Sequence, residues 1–165
     1  MTAPAQNQFS GSLSVESTPP FSVLMSLYAR EQPEYLRQCL ASLAAQTLPP
    51  NEIVLVYDGG LPENLEAVVA SFSGSLPLKI VRLPQNVGLG RALNAGLQAC
   101  AHEWVCRMDT DDICHPERFA RQLAFVAAYP QLDVCGSQID EFEHTPTDAA
   151  HSRRVPCEHD EIARF

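Results

Sequence analysis

FSVLMSLYAREQPEYLRQCLASLAAQTLPPNEIVLVYDGG, residues 21–60, is the stretch that decides the fold. Two apolar runs within it, Phe21–Leu27 and Glu52–Tyr57, have the length of buried strands. Between them leucines recur at helical spacing, and Pro49-Pro50 then ends the helix. Because both runs are apolar without alternation, they are typical of strands covered on both faces. The stretch predicts a strand–helix–strand unit of a parallel sheet.

The same pattern continues along the chain. Further strands are predicted at Leu78–Leu83, Glu103–Met108 and Asp133–Ile139, and further helices at Pro62–Phe72, from Leu89 towards Cys100, and from Pro116 to Tyr129. Four strand–helix units at a regular interval are the pattern of a parallel sheet with helices on both faces. We therefore predict an α/β fold, a Rossmann-like three-layer α/β/α sandwich with a mostly parallel central sheet.

Composition divides the chain into three parts. Residues 1–20 are rich in Ser, Thr, Pro, Ala and Gln, and we expect a disordered leader. Residues 21–143 hold the strand–helix units. Residues 144–165 are polar and irregular, and a helical pattern begins at His159 without any stop signal before Phe165. The sequence therefore reads as truncated within its last region.

Charge, hydropathy and cysteine content limit the function classes. The net charge of −9 repels phosphate backbones, so nucleic acid is not an expected partner, whereas a nucleotide bridged by a divalent cation is compatible. No apolar run reaches the roughly 18–20 residues of a membrane span, and residues 1–20 do not resemble a signal peptide. The six cysteines form no CxxC pair and are expected to be reduced. These features favour a cytoplasmic protein.

Candidate site residues lie where the predicted strands end, because ligands of open parallel sheets bind outside the carboxyl ends of the strands. These positions are Ser26, Tyr28 and Arg30 after the first strand, Asp58 after the second, and Asp109, Asp111 and Asp112 after the fourth. Three carboxylates within four residues are costly to bury together unless a cation neutralises them. Hard divalent cations such as Mg²⁺ or Mn²⁺ suit such oxygen ligands. The alternative is a solvated acidic turn ahead of the helix at Pro116.

Other candidates have equally plain structural readings. Asp58 opens an Asp-Gly-Gly sequence that is common in turns. Arg91 could contact a phosphate or be solvated on its helix, and the glycines around it match a dinucleotide fingerprint poorly. A zinc site from Cys106, Cys114 and His115 has the wrong spacing for the usual zinc ribbons.

Two stretches carry a family resemblance. Residues 21–60 together with NVGLGRALNAGLQACAHEWVCRMDTDDICHPERFARQL, residues 86–123, resemble the family 2 glycosyltransferases in order and spacing. The resemblance covers roughly Phe21–Phe142, and residues 154–165 look like the approach to that family's acceptor-side region. It implies a GT-A nucleotide-diphospho-sugar-binding fold and an inverting transfer of a sugar to an acceptor hydroxyl.

The resemblance also implies roles for single residues. Asp58 would bond the base, often uracil, which makes a UDP-sugar the expected donor, and the Ser26–Arg30 loop with Tyr28 would lie against base and ribose. Asp111 and Asp112 would face ribose and a Mn²⁺ or Mg²⁺ ion, with Asp109 in support and Arg91 towards phosphate. The family's paired acids are here Tyr57 and Asp58. Its catalytic base falls later than Phe165, so no base is assigned.

The resemblance implies a saccharide or lipid-linked saccharide acceptor, a role in bacterial polysaccharide biosynthesis, and peripheral contact with the inner face of the cell membrane. Two other classes stay open at this point. One is a binding module that uses the nucleotide fold without catalysis. The other is a phosphohydrolase, since an Asp-x-Asp sequence after an apolar strand also opens that class of nucleophile motif, although usually on the first strand. The fragment itself is expected mainly to bind the donor.

Overall fold

The computed structural model describes residues 18–142, 151–156 and 159–162. Most of the predicted leader and the predicted boundary at residue 143 lie outside the described residues. The chain divides into two compact units, Met1–Pro130 and Gln131–Phe165. All residues predicted for the site belong to the first unit.

The first unit consists of four strand–helix pairs, as predicted. The strands are β1 (Phe21–Leu27), β2 (Glu52–Tyr57), β3 (Leu78–Arg82) and β4 (Trp104–Arg107), and the helices are α1 (Pro33–Ala44), α2 (Glu63–Ser71), α3 (Leu89–Leu97) and α4 (Arg118–Ala128). Proline at the first position of α1 fits the helix start, where no N–H is needed. α4 begins two residues after Pro116, and α3 ends before Cys100.

The four strands form one parallel sheet in the order β3-β2-β1-β4. The chain moves outward from β1 through β2 to β3 and then returns to the other side of β1 for β4. The connections after β1 and β4 therefore diverge at the carboxyl edge of the sheet. Such a switch point leaves a crevice between two strand ends, where α/β folds bind ligands.

Helices cover both faces of this sheet, which confirms the three-layer prediction. One face packs against α1, α2 and α4 through a large core with members such as Leu27, Leu40, Leu65 and Phe119. The other face packs against α3 through a smaller cluster that includes Leu24, Val54, Val56 and Ala92. α3 approaches the sheet closely at Gly96, where a Cβ atom would lie 2.5 Å from side-chain atoms of Leu24 and Val56.

The second unit contains a two-stranded antiparallel sheet, β5 (Ile139–Glu141) with β6 (His151–Arg153), and the short helix α5 (His159–Ile162). The predicted strand at Asp133–Ile139 is wrong: in the structure a strand begins only at Ile139. The reason is that this segment alternates its few apolar residues with glycine and polar residues, which does not suit a strand covered on both faces. Val134 accordingly has 84% of its surface exposed.

Two further findings concern membranes and thiols. Within the described ranges, no helix combines the length and apolar character that crossing a bilayer requires. The cysteines at positions 39, 100, 106, 114 and 135 are not in disulfide bonds. The thiol finding agrees with the prediction of reduced cysteines for these five positions.

Candidate functional site

The candidate site lies at the switch point between β1 and β4. Residues 26–31 leave β1 on one side, and residues 108–117, which we call the acidic loop, leave β4 on the other. The two strands are directly paired, with Leu24 opposite Arg107 and the Met108 N–H donating to the Leu24 carbonyl at 3.1 Å. The topology thus places the β1 loop and the three aspartates of the acidic loop at one edge of the sheet, as predicted.

Thr110 ties these two loops together. It lies between Asp109 and Asp111 and is only 3% exposed. Its hydroxyl donates to Glu31 Oε2 at 2.8 Å and also lies 3.5 Å from the Ser26 carbonyl oxygen. The other carboxylate oxygen of Glu31 accepts the Gln32 N–H at 2.8 Å, at the start of α1. Thr110 is therefore held inward, whereas Asp109 is partly exposed and Asp111 is exposed.

The acidic loop carries more negative charge than its own contacts neutralise. Asp109 forms an ion pair with Arg107. Partial burial raises the pKa of the Asp112 carboxyl, and repulsion from Asp109 and Asp111 raises that pKa further, against the opposite effect of Arg107 and Arg118. Asp111 and Asp112 are both exposed. The aspartates therefore repel each other in the protein by itself, which is the condition that a bound cation relieves.

The donor chemistry of the acidic loop fits a hard divalent cation, since its free ligands are carboxylate oxygens. Across the described part of the chain, however, no group of three or more His, Cys, Asp or Glu side chains converges into a ready-made metal site. The zinc alternative at Cys106, Cys114 and His115 is therefore not assembled either. A cation here would need ligands beyond the protein side chains, such as the phosphates of a nucleotide.

Asp58, at the end of β2, is 3% exposed and fixes the β3–α3 connection. Its Oδ1 accepts the Val87 N–H at 2.7 Å and its Oδ2 accepts the Gly88 N–H at 3.0 Å. The Asn86 side chain donates to the Asp58 carbonyl at 3.3 Å. A carboxylate has about four acceptor positions, so these two bonds leave room for one further donor. Asp58 thus has a structural role in addition to its predicted contact with the base.

The backbone next to Asp58 is correspondingly tight. Gly59 has φ +91°, and a Cβ atom there would lie 2.7 Å from the backbone nitrogen of Asn86. Only glycine adopts this conformation readily and leaves room for the second loop. The Asp-Gly-Gly sequence is therefore a real turn, as its structural reading predicts, and it brings the ends of β2 and β3 into contact.

The remaining predicted residues are not drawn into this network. Tyr28 and Arg30 are exposed on the β1 loop, and Arg91 is exposed on the first turn of α3. In the described part of the structure no hydrogen bond or ion pair joins these three side chains to the acidic loop. They lie at the carboxyl edge of the sheet, available to a ligand, and their predicted contacts stay predictions.

Sequence reasoning overlooked several residues that shape the site. They are Glu31, Gln46, Asn86 and Thr110. Thr110 stands inside the acidic sequence and could have been singled out as its one uncharged member. Glu31 and Gln46 carry no such signal, because their partners lie about 70 or more positions away in the chain.

Comparison with known proteins decides the family. The model of the family described as Glycosyl transferase family 2 matches residues 22–164 of this chain. The chain belongs to this family. Membership agrees with the four-stranded parallel sheet and confirms the resemblance seen in the sequence. It also makes a phosphohydrolase an unsuitable interpretation of the acidic loop.

Three relatives of the chain are glycosyltransferases of bacteria. The chain is 53% identical over 145 residues to an uncharacterized glycosyltransferase of Haemophilus influenzae, covering 88% of this chain and 54% of the relative. It is 49% identical to the amylovoran biosynthesis glycosyltransferase AmsE of Erwinia amylovora, with the same coverage. It is 37% identical to the UDP-Gal:alpha-D-GlcNAc-diphosphoundecaprenol beta-1,3-galactosyltransferase of Escherichia coli, covering 86% of this chain and 51% of that protein. The chain thus spans about half the length of these relatives.

Solved structures of the same architecture support the GT-A assignment of this family 2 chain. Residues 1–349 of S. aureus TarS have been solved in complex with UDP and with UDP-GlcNAc. Both structures match with a TM-score of 0.62 and 26% identity over 76% of this chain. This chain covers 40% of the protein chain in the UDP complex and 38% of the chain in the UDP-GlcNAc complex.

Proposed function

We propose that this chain is the donor-binding part of a glycosyltransferase that moves a sugar from a nucleotide diphosphate to an acceptor hydroxyl with inversion. We further propose UDP as the nucleotide. Two kinds of relative favour UDP: the galactosyltransferase of Escherichia coli carries it in its name, and TarS has been solved with UDP and UDP-GlcNAc.

The observation that carries the proposal is the acidic loop at the switch point. Partial burial, and after it repulsion from Asp109 and Asp111, raises the pKa of Asp112. The three aspartates follow β4 at the carboxyl edge of the sheet, the edge at which α/β folds bind nucleotides. An acidic turn with a purely structural role would have its carboxylates paired or capping a helix. Of the three aspartates, Asp109 alone forms an ion pair within the described residues, with Arg107.

In the proposed complex each part of the site has its own task. The Ser26–Arg30 loop, with Tyr28, lies against base and ribose, and the free acceptor capacity of Asp58 receives an N–H of the base. Asp111 faces the ribose, and Asp109 supports the loop from its ion pair with Arg107. Arg91, exposed beside the Asp58-bound connection, is placed to meet a phosphate oxygen.

We propose that Asp111 and Asp112 hold a Mn²⁺ or Mg²⁺ ion together with the two phosphates. Such an ion supplies Lewis-acid neutralisation of the charge that develops on the departing nucleotide diphosphate. The protein contributes the orientation of the donor by the two loops that Thr110 joins. Transfer also needs a base for the acceptor hydroxyl, and none of the described residues is assigned to that task.

For the acceptor we propose a saccharide or a lipid-linked saccharide, as used in bacterial surface polysaccharide synthesis. The support is the name of the Escherichia coli relative, whose acceptor is a diphosphoundecaprenol-linked sugar. An enzyme with that acceptor would work in the cytoplasm at the inner face of the membrane, in peripheral contact with it.

Isothermal titration of the chain with UDP, with and without Mn²⁺, tests the donor site. We expect binding that requires Mn²⁺ and is lost in Asp111→Asn. Glu103→Gln is the matched control, because it removes one exposed charge ahead of β4, at the opposite edge of the sheet. Titrations with GDP and dTDP in the same series measure which base the site prefers.

The outcomes separate the candidate functions. Mn²⁺-dependent UDP binding that Asp111→Asn abolishes and Glu103→Gln preserves supports the proposal. Absence of binding to every nucleotide by a folded chain would contradict it and favour the module that uses the nucleotide fold without donor binding.

A further inference from the structure

The acidic loop has no regular structure of its own to hold it. Residues 108–117 connect β4 to α4 without a helix or strand. Like charges at Asp109, Asp111 and Asp112 push its parts away from one another. A loop under such repulsion keeps one conformation only when neighbouring elements fix its backbone.

Those fixing contacts come from one side of α1 and the two residues that follow its C-cap. The Cys39 thiol donates to the Asp109 carbonyl at 3.4 Å. The Ser42 hydroxyl accepts the Cys114 N–H at 3.0 Å, and the Thr47 N–H donates to the Pro116 carbonyl at 2.9 Å. All three contacts reach the backbone of the loop, so they leave its carboxylate oxygens unused.

Gln46 lies at the centre of these contacts and is 8% exposed. Its Nε2 donates to the carbonyls of Ser42 at 3.2 Å and His115 at 2.9 Å, with the Cys114 carbonyl at 3.5 Å. Its Oε1 lies 3.5 Å from the Phe119 N–H, which it faces as an acceptor. One buried amide therefore contacts α1, the acidic loop and α4.

The partners of Gln46 are groups that the helices leave unpaired. The Ser42 carbonyl belongs to the last turn of α1, and the Phe119 N–H belongs to the first turn of α4. The N-cap residue of α4, Glu117, makes no side-chain cap bond. Gln46 therefore serves both helix ends and takes the loop between β4 and α4 as its third partner.

We propose that Gln46 is a positioning residue for the donor site, whose buried amide holds the acidic loop in the conformation that presents Asp111 and Asp112 to the nucleotide diphosphate. This inference rests on the proposed function. The hydrogen bonds of Gln46 go to backbone carbonyls of the loop, and the exposed carboxylates of Asp111 and Asp112 are not used by them.

The test compares Gln46→Met with Gln38→Met. Methionine keeps the length of the side chain but removes the amide. The Cys114 and His115 carbonyls then lose the Gln46 donor, and the His115 carbonyl keeps the Arg118 N–H at 2.9 Å. Gln38 is the matched control on the same helix, since it is exposed and bonds only across one turn, to Glu34 Oε1 at 3.1 Å.

Two measurements are made on each variant. Amide hydrogen exchange of the ligand-free protein reads the loop by itself, and Mn²⁺-dependent UDP titration reads the site. In Gln46→Met we expect exchange across residues 109–119 to become about tenfold faster and UDP affinity to fall by about tenfold, as loss of a buried donor implies. In Gln38→Met neither changes.

The outcomes distinguish an effect of Gln46 on the acidic loop from an effect on nucleotide binding. Unchanged exchange in residues 109–119 overturns the inference whatever the nucleotide does. Faster exchange with unchanged UDP affinity overturns the positioning role alone. Absence of UDP binding by the unaltered chain overturns the proposed function, and the positioning role falls with it.

Ser42→Ala provides a second variant in case Gln46→Met does not fold. It removes the acceptor of the Cys114 N–H and leaves only a small gap. Faster hydrogen exchange in the acidic loop together with weaker Mn²⁺-dependent UDP binding supports the proposal that contacts from α1 and Gln46 hold this loop for the nucleotide. Unchanged exchange and unchanged UDP binding in this folded variant would overturn it.

Discussion

At the scale of single residues, the two predicted acidic positions turn out to be different in kind. Asp58 is buried and gives both carboxylate oxygens to backbone N–H groups of the β3–α3 connection. Partial burial of the Asp112 carboxyl, and after it repulsion from Asp109 and Asp111, raises the pKa of Asp112. We therefore expect ionised Asp58 to stabilise the folded chain and ionised Asp112 to destabilise it.

This contrast gives a pH-dependent prediction for Asp112→Asn. Because its pKa is higher in the folded protein than in the unfolded chain, ionised Asp112 lowers stability at pH 7. We expect the variant to melt about 1–3 °C higher than the parent at pH 7. The gain should vanish as the pH falls below the ordinary aspartate pKa of about 3.9, since both states are then protonated.

Circular dichroism melts at pH 7 and below pH 4 measure this difference. Glu103→Gln is again the control, because Glu103 is exposed and precedes β4, at the opposite edge of the sheet from the acidic loop. We expect its melting temperature to follow the parent's. A melting temperature for Asp112→Asn at or below the parent's at pH 7 would refute the view that the acidic loop is electrostatically strained.

The opposite sign is expected for Asp58→Asn. The amide offers one oxygen where the carboxylate offers two, so one of the Val87 and Gly88 N–H groups faces an NH₂ group instead. Loss of a buried acceptor costs about 1–3 kcal/mol. Urea unfolding measures this loss, and Asp133→Asn, which changes an exposed aspartate, should be neutral. If Asp58→Asn were as stable as the parent, the bonds to the Val87 and Gly88 N–H groups would not stabilise the fold, and the proposed role of Asp58 would be reduced to binding the base.

At the scale of elements, helix α3 packs closely against the sheet at Gly96 but not at Gly90. Gly96 faces Leu24 and Val56, and an added Cβ atom would lie 2.5 Å from each. Gly90 is on the same helix, and an added Cβ atom there would have no other atom within 4 Å. We expect Gly96→Ala to destabilise the protein by about 1–3 kcal/mol through overpacking. Gly90→Ala should stabilise it by about 0.5–1 kcal/mol through helix propensity.

Chemical denaturation of the two alanine variants measures both effects in one helix. Opposite signs are the expected result, since the substitution is the same and only the surroundings differ. If both variants gained stability, the sheet would be able to yield around Gly96, and the close packing of α3 would not restrict that position.

The elements also show why prediction from sequence worked where it did. β1 and β2 are continuous apolar runs, and the helices between strands carry a clear apolar stripe, so local pattern was enough. The segment at Asp133–Ile139 failed because a short run of mixed apolar and polar residues does not determine which sheet it joins. The role of Gln46 could not be predicted, because its side chain bonds to residues 114–119. These residues are far from Gln46 in the sequence and come next to it only in the folded chain.

At the scale of the whole molecule, the first unit holds the switch point and every residue proposed to bind the donor. The second unit, Gln131–Phe165, contributes none of them in the described residues. We therefore predict that a chain ending at Pro130 keeps Mn²⁺-dependent UDP binding within about threefold of the parent, because it retains every residue proposed to bind the donor. Isothermal titration measures it, with circular dichroism as the check that the shortened chain is folded. A folded but non-binding chain would place part of the donor site after Pro130, which the arrangement of loops around β1 and β4 does not require.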